Sequence, residues 1–208
     1  MTYDLAAATA HLCAADRRFA PLIERHGVPP LTPSRDPFAS LASAIIHQQL
    51  AGAAARTIRG RFVGLYPRGR FPRPAAVAAT PLERLRTAGL SRAKALAILD
   101  LAAHFADRRV TARALLTASD DDVAARLLPI RGVGPWSVDM FLMFALCRSD
   151  VWPVGDLGVR TGLRQFLRLR QPPTGARLVA LAAPWRPFRS LAAWYMWRVV
   201  DEARAAAR

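Results

Sequence analysis

Cysteine is nearly absent from this chain: two residues, Cys13 and Cys147, in 208. They stand far apart in apolar, helical contexts. That excludes a disulfide scaffold, a cysteine-ligated zinc site and an iron–sulfur cluster, which needs four thiolates. Long hydrophobic runs are also missing. Hydrophobic residues make up 52% of the chain, yet no apolar stretch reaches the roughly 18 residues of a membrane-spanning helix, so no membrane partner is expected. Met1 to Ala10 has no basic cluster ahead of an apolar stretch, which does not read as a secretory leader. A cytoplasmic location is the simplest expectation. Carboxylates are scarce, 15 against 30 Lys plus Arg, for a formal net charge of +15. The basic residues are nearly all arginine and alanine is abundant, as GC-rich codon usage would produce. Codon bias explains arginine in place of lysine but not a twofold excess of cations. That excess suits a polyanionic partner such as nucleic acid.

Strand signals are few as well. Alternating β-branched stretches are lacking, and Ala, Leu and Arg fill segments with a 3.6-residue period, so the expected fold class is all-α. Asp36-Pro37-Phe38 opens a helix with Phe38, Leu41, Ala42, Ile45 and Ile46 on one side. A second helical stretch is expected over 53–66, stopped by Pro67. Thr80-Pro81-Leu82-Glu83 predicts a helix start with Thr80 as cap. Gly89-Leu90-Ser91 ends that helix and caps the next. Ser119 followed by three aspartates caps another, with carboxylates where the helix dipole favours them. No repeat of solenoid period appears.

The most informative stretch is Leu127-Leu128-Pro129-Ile130-Arg131-Gly132-Val133-Gly134-Pro135-Trp136-Ser137. It falls between helices expected over 120–128 and 136–147. Two glycines one residue apart permit a tight turn whose backbone amides can approach a phosphate. The following helix presents its first N–H groups to the same anion, and Val133 would plug the turn into the helix pair. A Gly-Val-Gly alone is weak, since many helix pairs join through glycine; the longer framed pattern is more specific.

This stretch resembles the helix-hairpin-helix of the DNA glycosylase superfamily, and the chain as a whole resembles its 3-methyladenine DNA glycosylase II branch. The family motif is followed by a Gly/Pro loop and an aspartate, here Asp150-Val151-Trp152-Pro153-Val154-Gly155-Asp156-Leu157-Gly158, with Asp156 twenty residues after Trp136. Ile45-Ile46-His47-Gln48-Gln49-Leu50-Ala51, Gly89-Leu90-Ser91-Arg92-Ala93-Lys94-Ala95 and Trp185-Arg186-Pro187-Phe188-Arg189-Ser190 match further segments in the right order. The similarity runs from about Asp36 to Arg198. Bifunctional members carry a lysine after the hairpin, able to form a Schiff base with the sugar, where this chain has Trp136. The resemblance therefore implies a monofunctional glycosylase of base excision repair, without lyase activity, acting on alkylated bases of the 3-methyladenine and 7-methylguanine type. It implies double-stranded DNA as partner, a monomer, no required cofactor and a bacterial-type cytoplasmic protein associated with the nucleoid through DNA. The N-terminal β domain of some larger members is not expected.

Residue roles follow from the same resemblance. Breaking an N-glycosidic bond builds positive charge on the deoxyribose, which a carboxylate stabilises while orienting water; Asp156 is the candidate, and an ordinary helix cap is its bland alternative. The target base must leave the stack and be recognised in a pocket. Alkylated purines are cationic and suit electron-rich ring faces, so Trp136 and Trp197 are the candidate walls. In the helix expected over 190–200, Trp194 is read as core, and Tyr195 could lie on either face. Met140, one turn after Trp136, would replace an aromatic wall. Asp139 would polarise a pocket group or simply bond within its lobe; His47 is a pocket residue or a surface histidine. Gln48 and Gln49 are placed where family members insert into the minor groove, and Arg131, Gly132, Val133, Gly134 and Trp136 at the phosphate-binding turn. Main-chain carbonyls of Leu128, Ile130 and Val133 match positions that hold a Na or K ion. Two helical lobes around a cleft are expected, 36–148 carrying the hairpin and 1–35 with 149–208 carrying Asp156, so that Trp136 and Asp156 face each other. The lesion range stays open among methylpurines, ethenoadenine, hypoxanthine and alkylated pyrimidines. A non-catalytic helix-hairpin-helix DNA-binding protein would share the charge and the hairpin but leave Asp156, the glutamines and the tryptophans without a role. A helical transcription regulator would want a helix-turn-helix near a terminus.

Overall fold

The computed structural model describes residues 3–50 and 52–207, the side chain of Arg68 excepted. Among them every regular element is helical and no strand occurs, in keeping with the all-α expectation. The chain divides into two compact units, one of residues 1–33 with 142–208 and one of residues 34–141. Among the described residues no helix is long and apolar enough to cross a membrane.

The first unit opens with α1 (Leu5–Ala15) and α2 (Phe19–His26). The second unit is continuous in sequence. It runs α3 (Pro37–His47), α4 (Gly52–Gly64), α5 (Pro74–Ala78), α6 (Leu82–Arg86), α7 (Arg92–Ala106), α8 (Ala112–Thr117), α9 (Asp120–Leu127) and α10 (Pro135–Met140). Its starts are local chemistry. The carboxylate of Asp36 accepts from the Ala39 amide at 3.0 Å, the Ser91 hydroxyl from the Lys94 amide at 3.3 Å, and the Ser119 hydroxyl from the Asp122 amide at 3.2 Å. Each satisfies a donor that a helix start leaves without partner. Thr80 differs from expectation. Its hydroxyl donates back to the Ala76 carbonyl at 2.8 Å, and Pro81 takes the cap position of α6. The side chain closes the preceding turn instead of opening the next, a competition open to any serine or threonine between two short helices. The long α7 is the spine of this unit, packed by α3, α5 and α6 and burying Ala95, Ile98, Leu101 and Ala102.

The chain returns to the first unit through a change of helical winding. The sequence predicts one α-helix over 136–147; instead α10 ends at Met140 and residues 141–145 form a π-turn, with Cys147 at φ +53°. Insertions of this kind re-aim side chains and recur at functional sites. Beyond it lie α11 (Leu157–Phe166), α12 (Gly175–Leu181) and α13 (Arg189–Ala206). The first of these ends at Phe166, and Arg168 just beyond it takes φ +53°. The core of the unit is the α11–α13 contact, with α1 and α2 laid against α13. Gly162 makes that contact close: a Cβ there would stand 2.1 Å from the Met196 carbonyl oxygen. Phe19, Phe166, Trp185 and Tyr195 fill the rest with edge-on and tilted ring contacts.

Candidate active site and nucleic-acid interface

In the unit of residues 34–141 the hairpin turn closes tightly. The Val133 amide donates to the Ile130 carbonyl at 3.0 Å, and Gly132 sits at φ +76°, a conformation that disfavours a side chain. A Cβ on Gly132 would also lie 2.9 Å from the Ala97 methyl. Ile130 and Val133 are buried and serve as the plug, while Arg131 and Gly132 are exposed and Leu128 is 44% exposed. The Arg131 amide is held by an Asp100 carboxylate oxygen at 2.8 Å. Trp136, in the first turn of α10, is 44% exposed; Asp139 and Met140 are half-buried on the same short helix.

The two glutamines at the end of α3 are in different situations. Gln48 turns inward: its Nε2 donates to the Gly132 carbonyl at 3.1 Å and to the Ser137 hydroxyl at 3.3 Å. Gln49 is exposed at φ +55°. His47 is exposed too, its Nδ1 bonded 2.7 Å from the Ser43 carbonyl one turn back in its own helix. Ala51, next in this loop, lies outside the described residues.

In the unit of residues 1–33 and 142–208, Asp156 caps α11 and is 8% exposed. One carboxylate oxygen, Oδ1, accepts from the Val159 amide at 2.7 Å and from the Trp197 indole N–H at 2.9 Å. The cap and the functional candidate are therefore the same side chain, aimed by one local and one distant donor. Gly158 makes the distant one fit: a Cβ at that position would meet Trp197 Cδ1 at 2.7 Å. The opposite partner of the indole is Phe144 in the π-turn, with centroids 5.8 Å apart and planes 27° from parallel. Phe144 is 44% exposed. Sequence reasoning passes over it, although it lies one turn beyond Met140 on the same run of aromatics. Val154 and Leu157, either side of Asp156, are also exposed.

The loop that carries Asp156 is tied down by the start of α13. Arg189 makes a two-pronged ion pair with Asp150, at 2.6 and 2.9 Å, and a third bond to its carbonyl at 3.0 Å. The Ser190 hydroxyl donates to the Arg148 carbonyl at 2.7 Å and accepts from the Val151 amide at 2.9 Å. Paired forks of this geometry are strong and directional. The segment Trp185–Ser190, visible in the sequence only as a resemblance, thus anchors the approach to Asp156. On α13 itself the assignment of Trp194 to the core needs correction. Trp194 is half-buried with the Arg198 guanidinium 5.2 Å over its ring, and Tyr195 is the fully buried neighbour, its hydroxyl donating to the Gly27 carbonyl at 2.7 Å. α13 is wrapped by α1, α2 and α11, so its buried face is far wider than the single stripe that the period suggests. Among the described residues no cluster of three or more His, Cys, Asp or Glu could hold a metal ion.

Comparison with known proteins adds a family-level match. A model described as HhH-GPD superfamily base excision DNA repair protein matches residues 42–187, more than half of the chain. The chain is 34% identical over 165 residues to DNA-3-methyladenine glycosylase 1 of Schizosaccharomyces pombe (strain 972 / ATCC 24843), covering 79% of this chain and 72% of that protein. It is 29% identical over 185 residues to YfjP of Bacillus subtilis (strain 168), covering 86% of this chain but only 64% of the relative's length. The solved structure of the fission-yeast 3-methyladenine DNA glycosylase Mag1 in complex with abasic DNA is similar with a TM-score of 0.82 at 31% identity, covering 92% of this chain and 95% of that one.

Proposed function

The chain belongs to the HhH-GPD superfamily of base excision DNA repair proteins, and from that premise we propose that it is a monofunctional DNA glycosylase releasing alkylated bases from double-stranded DNA. The observation that carries the chemistry is Asp156: a carboxylate almost out of water, aimed by the Val159 amide and the Trp197 indole. A fixed negative charge in such a site stabilises the cationic deoxyribose of the transition state far better than a solvated one, and can orient the attacking water. Trp136 offers an exposed indole face, and Trp197 with Phe144 a stacked pair. Cationic 3-methyladenine and 7-methylguanine are the lesions such surfaces favour. The turn at Arg131–Gly134 would take the DNA phosphates, and Gln49, rather than the inward-turned Gln48, would enter the duplex.

The lack of lyase activity rests on amine chemistry. Trp136 stands where a Schiff-base lysine would be, and Lys94 is the only lysine in the chain. Its Nζ donates to the carbonyls of Ile46 and Gln48 at 2.8 and 2.7 Å, a placement that suits a structural cation rather than a nucleophile. Borohydride added during turnover is expected to trap no covalent protein–DNA adduct, and the abasic product to stay unnicked. A bound Na or K ion at the carbonyls of Leu128, Ile130 and Val133 would fit three neutral oxygens on one turn. It would bridge protein and phosphate and take no part in the chemistry.

The decisive experiment is excision from methylated duplex by wild type and Asp156→Asn. The variant is expected to bind the duplex as wild type does and to release base at least about 100-fold more slowly, the order lost with one preorganised electrostatic group. Full activity in the variant would remove Asp156 from the chemistry. Binding without base release by wild type would leave a DNA-binding protein only.

A further inference from the structure

Three groups on one side of α7 hold the two loops proposed to meet DNA. At its first turn Lys94 Nζ reaches the Ile46 and Gln48 carbonyls at the end of α3. Three residues on, the Ala97 methyl lies where Gly132 has no room for a side chain. Three further on, Asp100 holds the Arg131 amide. Lys94, Ala97 and Asp100 thus recur along the helix over about 9 Å, at 1.5 Å per residue. Gln48 closes the circuit, since the residue whose carbonyl Lys94 holds is the one whose amide donates to the Gly132 carbonyl.

That lysine is singular. Thirty residues of the chain are Lys or Arg, and one is lysine. Where codon usage turns nearly every basic position to arginine, a position that stays lysine requires something a guanidinium lacks. Here it is a compact ammonium whose tetrahedral donors satisfy two converging carbonyls; a planar fork cannot enter the same space with the same geometry.

We propose that Lys94 is a positioning residue for base extrusion. With Gln48 it locks the loop of residues 48–50 to the hairpin, so that the groups gripping the phosphates and the exposed Gln49 act as one rigid piece. Driving a side chain into a base stack must overcome the unstacking and unpairing of the target base. A loop that yields under that load would let the target base return. The inference rests on the glycosylase reading and adds a link between grip and insertion.

Two measurements on Lys94→Met and Lys94→Arg test it. One is the fluorescence of a 2-aminopurine beside the lesion, which rises when the stack opens. The other is excision from a duplex with the methylated base normally paired, compared with one in which it faces an abasic site. Both variants are expected to lose the fluorescence rise and to fall about tenfold or more in kcat on the paired lesion, as a barrier higher by about 1.4 kcal/mol would give. KM should change little, and excision of the unpaired lesion should stay within about twofold of wild type. Equal loss on both substrates, or recovery by Lys94→Arg, would overturn the proposal, since arginine restores charge but not the two-carbonyl grip. Should Lys94→Met fail to fold by circular dichroism, Gln48→Ala cuts the second link and must show the same split. A wild-type protein that opens the stack but releases no base would sink the glycosylase reading and leave the clamp standing.

Discussion

Asp156 earns two roles from one geometry. As cap of α11 it satisfies the Val159 amide; as acceptor of the Trp197 N–H it is aimed from 41 residues away. A hydrogen bond to a charged group contributes about 1.5–3 kcal/mol, so Trp197→Phe, which keeps a ring and loses the donor, is expected to slow single-turnover excision by about 10- to 100-fold. Gly158→Ala should act in the same direction, because the added methyl displaces the indole. Both variants should also melt below wild type, so excision is compared at a temperature where each remains folded. Unchanged excision in Trp197→Phe would show that the indole serves only as a ring. Cys147 belongs to this scale by contrast: burial raises its thiol pKa, which makes it a poor nucleophile.

At the level of elements, the α11–α13 contact sets the position of both Asp156 and Trp197. Gly162→Ala places a methyl against the Met196 backbone, where no rotamer change can relieve it. Overpacking of this kind costs about 1–3 kcal/mol; denaturant unfolding should detect that loss, and an unshifted midpoint would mean the helices separate freely. α2 and α13 meet through Glu202, bonded to Arg25 at 2.7 Å and His26 at 2.8 Å. The Arg25 hydrogen bond, then that of His26, holds the Glu202 pKa below its ordinary 4.5 against the effect of burial. A depressed carboxylate pKa contributes stability above the unfolded value and loses it as pH falls through the folded one. The melting temperature of Glu202→Gln should therefore lie below wild type at neutral pH and converge with it below pH 4.5. A gap that persists in acid would mean the contact acts through packing alone.

For the molecule as a whole, charge decides more than any single contact. With a net charge of +15, affinity for undamaged duplex should fall linearly with salt on logarithmic axes, each phosphate contact adding about 0.9 to the slope. On the proposed reading, lesion choice resides in ring contacts and one carboxylate, so excision rates at saturating enzyme should respond far less. Parallel losses of binding and of chemistry would contradict that division. The architecture mirrors it: residues 34–141 hold the hairpin and the loop proposed to enter DNA, and the other unit holds Asp156, Trp197 and Phe144.

By itself the sequence determined what depends on residues three or four positions apart. Asp156 needs the family resemblance to be singled out, but Asp36, Ser91 and Ser119 mark their helix starts and Gly132 marks the turn. Such features form wherever the local chain goes, so pattern alone reveals them. Only the tertiary structure decided that Trp197 bonds to Asp156, that Phe144 stacks on Trp197, that Arg189 pins the Asp150 loop, and that Lys94 joins α3 to the hairpin through Gln48. These links depend on which helix faces meet and how closely. A backbone approach such as that at Gly162 leaves in the sequence nothing more than one glycine within a helix.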